Sequence, residues 1–208
     1  MLKQFQRATW KIVDLVNSPR KTQKITRSAV ASRVIFAQYL AVAKFLDTRG
    51  FCAGSLAEMS MRVAGGKFLI NPSGVPLSLL DEETLLFAGV EKIPQDEELA
   101  LVRHATWHQH IYQHSSAAAV LLCQPRHVMA ILNKRQIPPQ GILRDADALI
   151  KRLKLIPQDK VNEENIKKED EMWLIPSSGV ILWGKTLAQL VDRVEMLESV
   201  CAIFLSDI

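Results

Sequence analysis

The C-terminal segment "WLIPSSGVILWGKTLAQLVDRVEMLESVCAIFL" (173–205) narrows the architecture more than any other stretch. It opens with two short apolar strands about a Ser-Ser-Gly turn and continues into the clearest helix in the chain. Thr186 and Gln189 form a Thr-x-x-Gln capping box, and Leu187, Leu190, Val191, Val194, Leu197, Cys201 and Phe204 recur on one face. A helix that is apolar along one face must bury it, and the strands before it supply a surface to bury it on.

The rest of the chain reads in the same vocabulary. Residues 28 to 48 form a helix that is apolar nearly all round, N-capped by Ser28, stopped by Arg49-Gly50 and expected to be deeply buried. "KFLINPSGVP" is a strand over Lys67 to Ile70 that runs into a turn punctuated by Pro72, Ser73, Gly74 and Pro76. A helix follows near 98 to 114, then "AAAVLLCQ" as a buried strand, then a helix opened by Pro125 and running through Leu132. The charge-dense stretch 151 to 172 reads as an exposed loop or helix outside any site. With no internal repeat and an irregular alternation of elements, the periodicity gives a mixed α/β domain without a topology.

At 208 residues, 48% hydrophobic and 23% charged, one domain suffices to bury the core. The formal charge of +4 is uneven: residues 1 to 27 hold seven Lys or Arg against Asp14 alone. The expected organisation is therefore a basic N-terminal arm, 1–27, and one domain, 28–208. The arm suits a solvated or partner-binding role, a docking helix through Leu2, Phe5, Ile12, Val13 and Val16, or an organellar transit peptide. It does not suit a nucleic-acid groove, which spreads basic and aromatic residues over a folded face. Neither a secretory signal nor an 18-residue apolar span is present, so no membrane partner is expected. Cys52, Cys123 and Cys201 are odd in number and lack a CxxC spacing, which fits a reducing cytoplasm.

"HATWHQHIYQH" (104–114) holds four of the five histidines, and His127 follows. His104 and His108, four apart on a helix, could chelate one ion, while His110 and His114 point elsewhere.

Four segments, in order, resemble the class II aldolase/adducin family. "RGFCAGSLAEMSMR" (49–62) is similar to its RG…G-T-x-G-N-I-S-x-R loop, and "FLINPSGVP" (68–76) to its strand and T-P-S-G turn. "HATWHQHIYQHSSAAAVLLCQP" (104–125) resembles E-x-x-x-H-x-x-I-Y…A-V-x-H-x-H. "LIPSSGVILWGKTLAQLVDRVEMLE" (174–198) resembles the HG-x-x-x-x-G-x-(T/S)-L…LE ending. The resemblance implies an αβα sandwich around a largely antiparallel central sheet, a homotetramer, and a three-histidine metal ion with a nearby carboxylate. It also implies a substrate phosphate near the first loop and the Ser-Gly turn.

The carry-over fails at the metal. The family's ligand positions fall on Leu122, Gln124 and Ser178, and its acidic position on His104. Leucine cannot coordinate a cation, and neutral Gln and Ser replace imidazole poorly. His108 stands where the family also has His. Gly54, Ser55, Ser60, Arg62, Ser73 and Gly74 are kept. Ala57-Glu58 replace Gly-Asn, which places a carboxylate where it would repel phosphate, and Arg103 could restore the lost positive charge.

These departures lead to two expectations. The favoured one is a catalytically inactive member that needs no cofactor and acts as a scaffold or a small-anion module for a phosphorylated small molecule or a protein partner. Its ligand residues would be Gly54, Ser55, Ser73, Gly74, Arg103 and His108. The alternative is a sugar-phosphate aldolase or epimerase with a rebuilt site. That enzyme would use His104 as acid or base, or recruit His104, His108, Cys123 and His127 to a displaced zinc ion, though Pro125 separates the last two.

Overall fold

A computed structural model of the chain describes residues 33–93, 101–162, 166 and 172–206. The basic arm and Ser28 lie outside the described residues. Seven strands build one sheet: β1 (Glu58–Val63), β2 (Lys67–Ile70), β3 (Leu86–Gly89), β4 (Ala119–Cys123), β5 (Lys154–Leu155), β6 (Met172–Ile175) and β7 (Gly179–Gly184), in the order β3-β2-β1-β4-β7-β6-β5. Every pairing is antiparallel except that of β5 with β6. The helices are α1 (Arg33–Thr48), α2 (Ala105–His114), α3 (Arg126–Asn133), α4 (Asp147–Ile150) and α5 (Leu187–Ser206).

Alternation along the central strands assigns their side chains to two apolar layers. Ala119, Leu121 and Cys123 of β4, with Val180 and Leu182 of β7, face the layer shared with α1, α3 and α5. Val120, Leu122, Ile181 and Trp183 face the opposite layer, which α2 covers. The result is the expected αβα sandwich. Helix α5 starts where the capping box placed it, with Gln189 N–H donating to Thr186 Oγ1 at 3.2 Å.

Three expectations need correction. Helix α1 is not buried all round: Phe36, Tyr39, Ala43 and Leu46 form its inner face, whereas Val34 is 63% and Phe45 38% exposed. Helix α2 begins at Ala105, because Leu101 forms an antiparallel bridge with Pro72 and cannot also be helical. The charged stretch is not wholly exterior: Leu153, Ile156 and Val161 are buried, and β5 adds a strand to the sheet. There the apolar residues set between Lys and Arg decide the placement.

Gly179, which opens β7, is required by close approach. A Cβ there would lie 2.2 Å from the carbonyl oxygen of Cys123, and its φ is +126°. Gly179→Ala should therefore cost at least about 2 kcal/mol. Urea unfolding tests this, and an unchanged midpoint would refute the packing at the β4–β7 junction.

Candidate functional site

β1 passes beneath α2 with an unusual inner face. Its odd positions, Met59, Met61 and Val63, enter the apolar layer on the α1 side, and its even positions, Glu58, Ser60 and Arg62, face α2. Opposite them stand His104, His108 and Tyr112, spaced four apart. Two strand residues advance about 6.6–6.8 Å and four helical residues about 6.0 Å, so the two columns stay in step for several rungs.

Each rung is hydrogen-bonded. His104 Nδ1 lies 2.8 Å from Glu58 Oε1, and the His104 backbone N–H donates to the same carboxylate at 3.2–3.3 Å. Ser60 Oγ lies 2.7 Å from His108 Nδ1 and 2.8 Å from Tyr112 Oη. Arg62 donates to the carbonyls of Tyr112, Ser115 and Ala117, and its guanidinium lies 4.8 Å from the Tyr112 ring centroid. His108 Nε2 is 3.5 Å from Glu58 Oε2, close enough for its field to act but outside good hydrogen-bond geometry.

Donor counting orders the protons. A lone pair on His108 Nε2 would face a carboxylate, so the proton sits there and Nδ1 accepts from Ser60, which accepts in turn from Tyr112. Burial pushes the Glu58 carboxyl up. The hydrogen bond from His104 and then the close approach of His108, with the field of both rings, outweigh that and hold it below the ordinary 4.5. Tyr112 is pushed well up by its burial, which keeps its hydroxyl protonated as a donor. Burial likewise raises Cys52 and Cys201 to about 12, and Cys123 well above its ordinary value, so none of these thiols is a ready nucleophile.

Glu58 thus departs from expectation: it is 2% exposed and its carboxylate is engaged by the His104 ring and backbone N–H, not set out to repel an anion. His108 is fully buried within the ladder. His104 stacks on Trp107 with ring centroids 3.9 Å apart. Asn71 was missed by sequence reasoning. Fully buried after β2, it accepts from Met59 N–H, donates to Ala57 O and pins the Pro72–Gly74 turn to β1. Gly74 takes φ +75° in that turn, a left-handed conformation that favours glycine. The Pro72–Leu101 bridge brings the turn beside the segment that carries Arg103. Ser73, Gly74 and Arg103 are exposed on this rim, and in the loop that leads into β1 Gly54 is exposed and Ser55 half-buried.

The three positions where the family resemblance puts metal ligands come together without a ligand set. Leu122 is fully buried opposite Glu58 in the apolar layer under α2. Gln124 Nε2 donates to Ser178 O at 3.0 Å and Leu56 O at 3.3 Å, so a carboxamide ties the start of β1, the end of β4 and the start of β7. Two carbonyls as neighbours also settle which end of the amide carries nitrogen.

The four residues of the displaced-metal alternative are divided by the sheet. His104 and His108 are carried by the start of α2 on one side, whereas Cys123 faces the other layer and His127, on α3, pairs with Glu198 of α5 at 2.8 Å. His110 and His114 form a separate pair farther along α2, with ring centroids 4.4 Å apart. Among the described residues, no group of three or more His, Cys, Asp or Glu is placed to share an ion. None of the described helices is long and apolar enough to cross a membrane.

The sequence matches the family model of the Class II Aldolase and Adducin N-terminal domain over residues 37–205. L-fuculose-1-phosphate aldolase from Thermus thermophilus is similar with a TM-score of 0.72 at 21% identity, covering 83% of this chain and 95% of that one. L-fuculose 1-phosphate aldolase from Glaciozyma antarctica PI12 gives 0.70 at 17% identity, covering 89% and 77%. A sugar-phosphate aldolase from Thermotoga maritima gives 0.65 at 15%, covering 84% and 94%. At these identities the likeness is one of fold. No curated protein sequence matches.

The ladder has a pH signature. Because folding lowers the Glu58 carboxyl below its unfolded value, its contribution is complete above about pH 4.5 and is lost as pH falls through the folded value. Glu58→Gln should flatten this acid limb of the stability curve and lower stability at neutral pH by about 1.5–3 kcal/mol. Chemical denaturation across pH decides the matter; a curve parallel to that of the native protein would refute the assignment.

Proposed function

The chain belongs to the class II aldolase and adducin family, and we propose that it is a metal-free member that binds a small phosphorylated anion, or a protein bearing one, without the carbon–carbon chemistry a metal would assist. The observation that carries this reading is the Gln124 carboxamide bridge beside buried Leu122. An apolar side chain and a neutral amide committed to two carbonyls supply no donor set for zinc. The rim keeps Gly54, Ser55, Ser73 and Gly74, small or hydroxylated residues that let backbone N–H groups approach an anion, and Arg103 supplies the charge.

A second reading is favoured by one contact. The Glu58–His104 pair holds an imidazole in a fixed tautomer, as acid–base catalysis on a sugar phosphate would require. Under that reading His104 transfers the proton and Glu58 positions it. Assembly as a homotetramer in the cytoplasm belongs to the favoured proposal, with Val34 and Phe45 of α1 among the exposed apolar residues available to a neighbouring copy.

Purified without added metal, the protein should carry far less than one zinc or manganese per chain, whereas stoichiometric metal would overturn the reading. Combining Leu122→His, Gln124→His and Ser178→His should create measurable zinc affinity, weaker than a natural site by about 10–100-fold for want of supporting hydrogen bonds. Arg103→Ala should weaken binding of L-fuculose 1-phosphate about tenfold or more. Calorimetry giving an unchanged affinity would remove Arg103 from the site.

A further inference from the structure

The histidines of segment 104–114 divide into two pairs. His104 and His108 face β1 and spend their Nδ1 atoms on Glu58 and Ser60. His110 and His114 stand outside that ladder, on the last turn of α2, where His110 is half-buried and His114 exposed. Their rings lie 4.4 Å apart between centroids, inclined at 47°.

One of these rings is already oriented as a ligand. His114 Nδ1 lies 2.9 Å from the backbone carbonyl oxygen of His110, an atom that can only accept, so the proton sits on Nδ1. In the neutral imidazole Nε2 then carries the lone pair. A backbone carbonyl on Nδ1–H is the arrangement that fixes the tautomer of a metal-ligating histidine and raises its basicity.

The ring separation suits a shared ion. An ion about 2.0–2.1 Å from a nitrogen of each ring stands about 3.2 Å from each centroid, so bond angles of about 90–110° put the centroids about 4.5–5.2 Å apart. The observed 4.4 Å falls just short of the lower value, and a small rotation of the exposed His114 ring opens it. The place also favours positive charge. α2 ends at His114, and helix C-terminal carbonyls attract cations, as Arg62 shows from the inner side by donating to the carbonyls of Tyr112 and Ser115.

We propose that His110 and His114 form a two-imidazole site for an exchangeable transition-metal dication of the zinc, nickel or copper(II) type, with water completing its coordination. Imidazole selects these ions over magnesium and calcium, which take oxygen ligands. Two ligands give about half the affinity of a four-ligand zinc site on a logarithmic scale, a dissociation constant on the order of 10 μM. Such an ion is lost on purification and returns when metal is added. The site does not rest on the reading above, because it lies at the opposite end of α2 from Glu58 and its cross-strand partner Leu122.

Calorimetry of the untagged full chain at neutral pH, with zinc chloride as the probe, should show one ion bound at that affinity. Copper(II) should bind more tightly than zinc, and magnesium should give no response. His110→Gln and His114→Gln should each weaken zinc about tenfold or more, whereas His127→Gln leaves it unchanged. Saturating zinc should raise the urea midpoint of the native protein but not that of either variant, because the ion binds only the folded turn. Substoichiometric copper(II), which is paramagnetic, should broaden the His110 and His114 ring signals before those of the other histidines.

Native zinc affinity in either folded variant would overturn the proposal. So would loss of zinc on His127→Gln, or an equal response to magnesium. The copper broadening on the unmodified protein decides even if both variants misfold, since broadening centred on another histidine refutes the pair.

Discussion

A match between two repeat lengths governs the end of the molecule where the candidate site lies. Glu58, Ser60 and Arg62 repeat by two on a strand, and His104, His108 and Tyr112 repeat by four on the helix above it; the mismatch is under about 1 Å per rung. Moving β1 by one residue would put methionines beneath α2 and drive Glu58 and Arg62 into the apolar layer against α1. Burying an unpaired carboxylate and guanidinium costs far more than any contact regained, so the ladder fixes the register of β1 against its neighbours. The same register sets Glu58 opposite Leu122 and carries Leu56 to Gln124.

Much of the frame could be read from residue order because it rests on apolar alternation. The strand at Lys67–Ile70, the buried β4, the hairpin of β6 and β7 and the capped helix α5 all carry that signal and stand where it puts them. β1 was hidden in what reads as a loop, since "EMSMR" alternates polar and apolar as a surface strand does. Here the polar side is the buried one. Nothing local distinguishes Glu58 facing water from Glu58 facing two imidazoles; the difference lies in a helix 46 residues away. The i, i+4 spacing of His104 and His108 was visible and suggested chelation, yet what it matches is the period of a strand. Asn71 left no periodic trace, and the period that puts Tyr39 on the inner face of α1 does not tell that its hydroxyl donates to Met59 O, because each acts singly on the backbone at β1.

The Gln124 carboxamide cross-links strand ends at the place where the family resemblance would put an ion. A metal held by residues at the end of β4 and the start of β7 would also cross-link them. Here two N–H groups of one amide make that connection, to Leu56 O and Ser178 O, and Gly179 lets the strands approach closely enough for it. Each bond contributes only about 1 kcal/mol net, far less than a structural metal, so the junction must lean on packing. Fully buried Leu122 supplies such packing where a ligand would have needed space and supporting hydrogen bonds.

The structure also contains a control for its own most suggestive contact. Glu198 accepts from His127 N–H, Val128 N–H and His127 Nδ1 at the start of α3, as Glu58 accepts from His104 N–H and Nδ1 at the start of α2. Both are carboxylates at a helix N-terminus, where the dipole and unfilled N–H groups favour negative charge. A Glu–His pair of this shape is therefore a capping device before it is anything else. What separates the two is their surroundings. The His127 side chain is 41% exposed and its ring meets water, whereas Glu58 is sealed beneath α2, faces a second imidazole, and holds His104 with a buried nitrogen that no described group satisfies. Capping explains the carboxylate in both cases, but it gives no reason to seal one of them beneath a helix against a second imidazole. That burial, which the His127–Glu198 pair lacks, is what makes the Glu58 carboxylate part of the register of β1 and more than a helix cap.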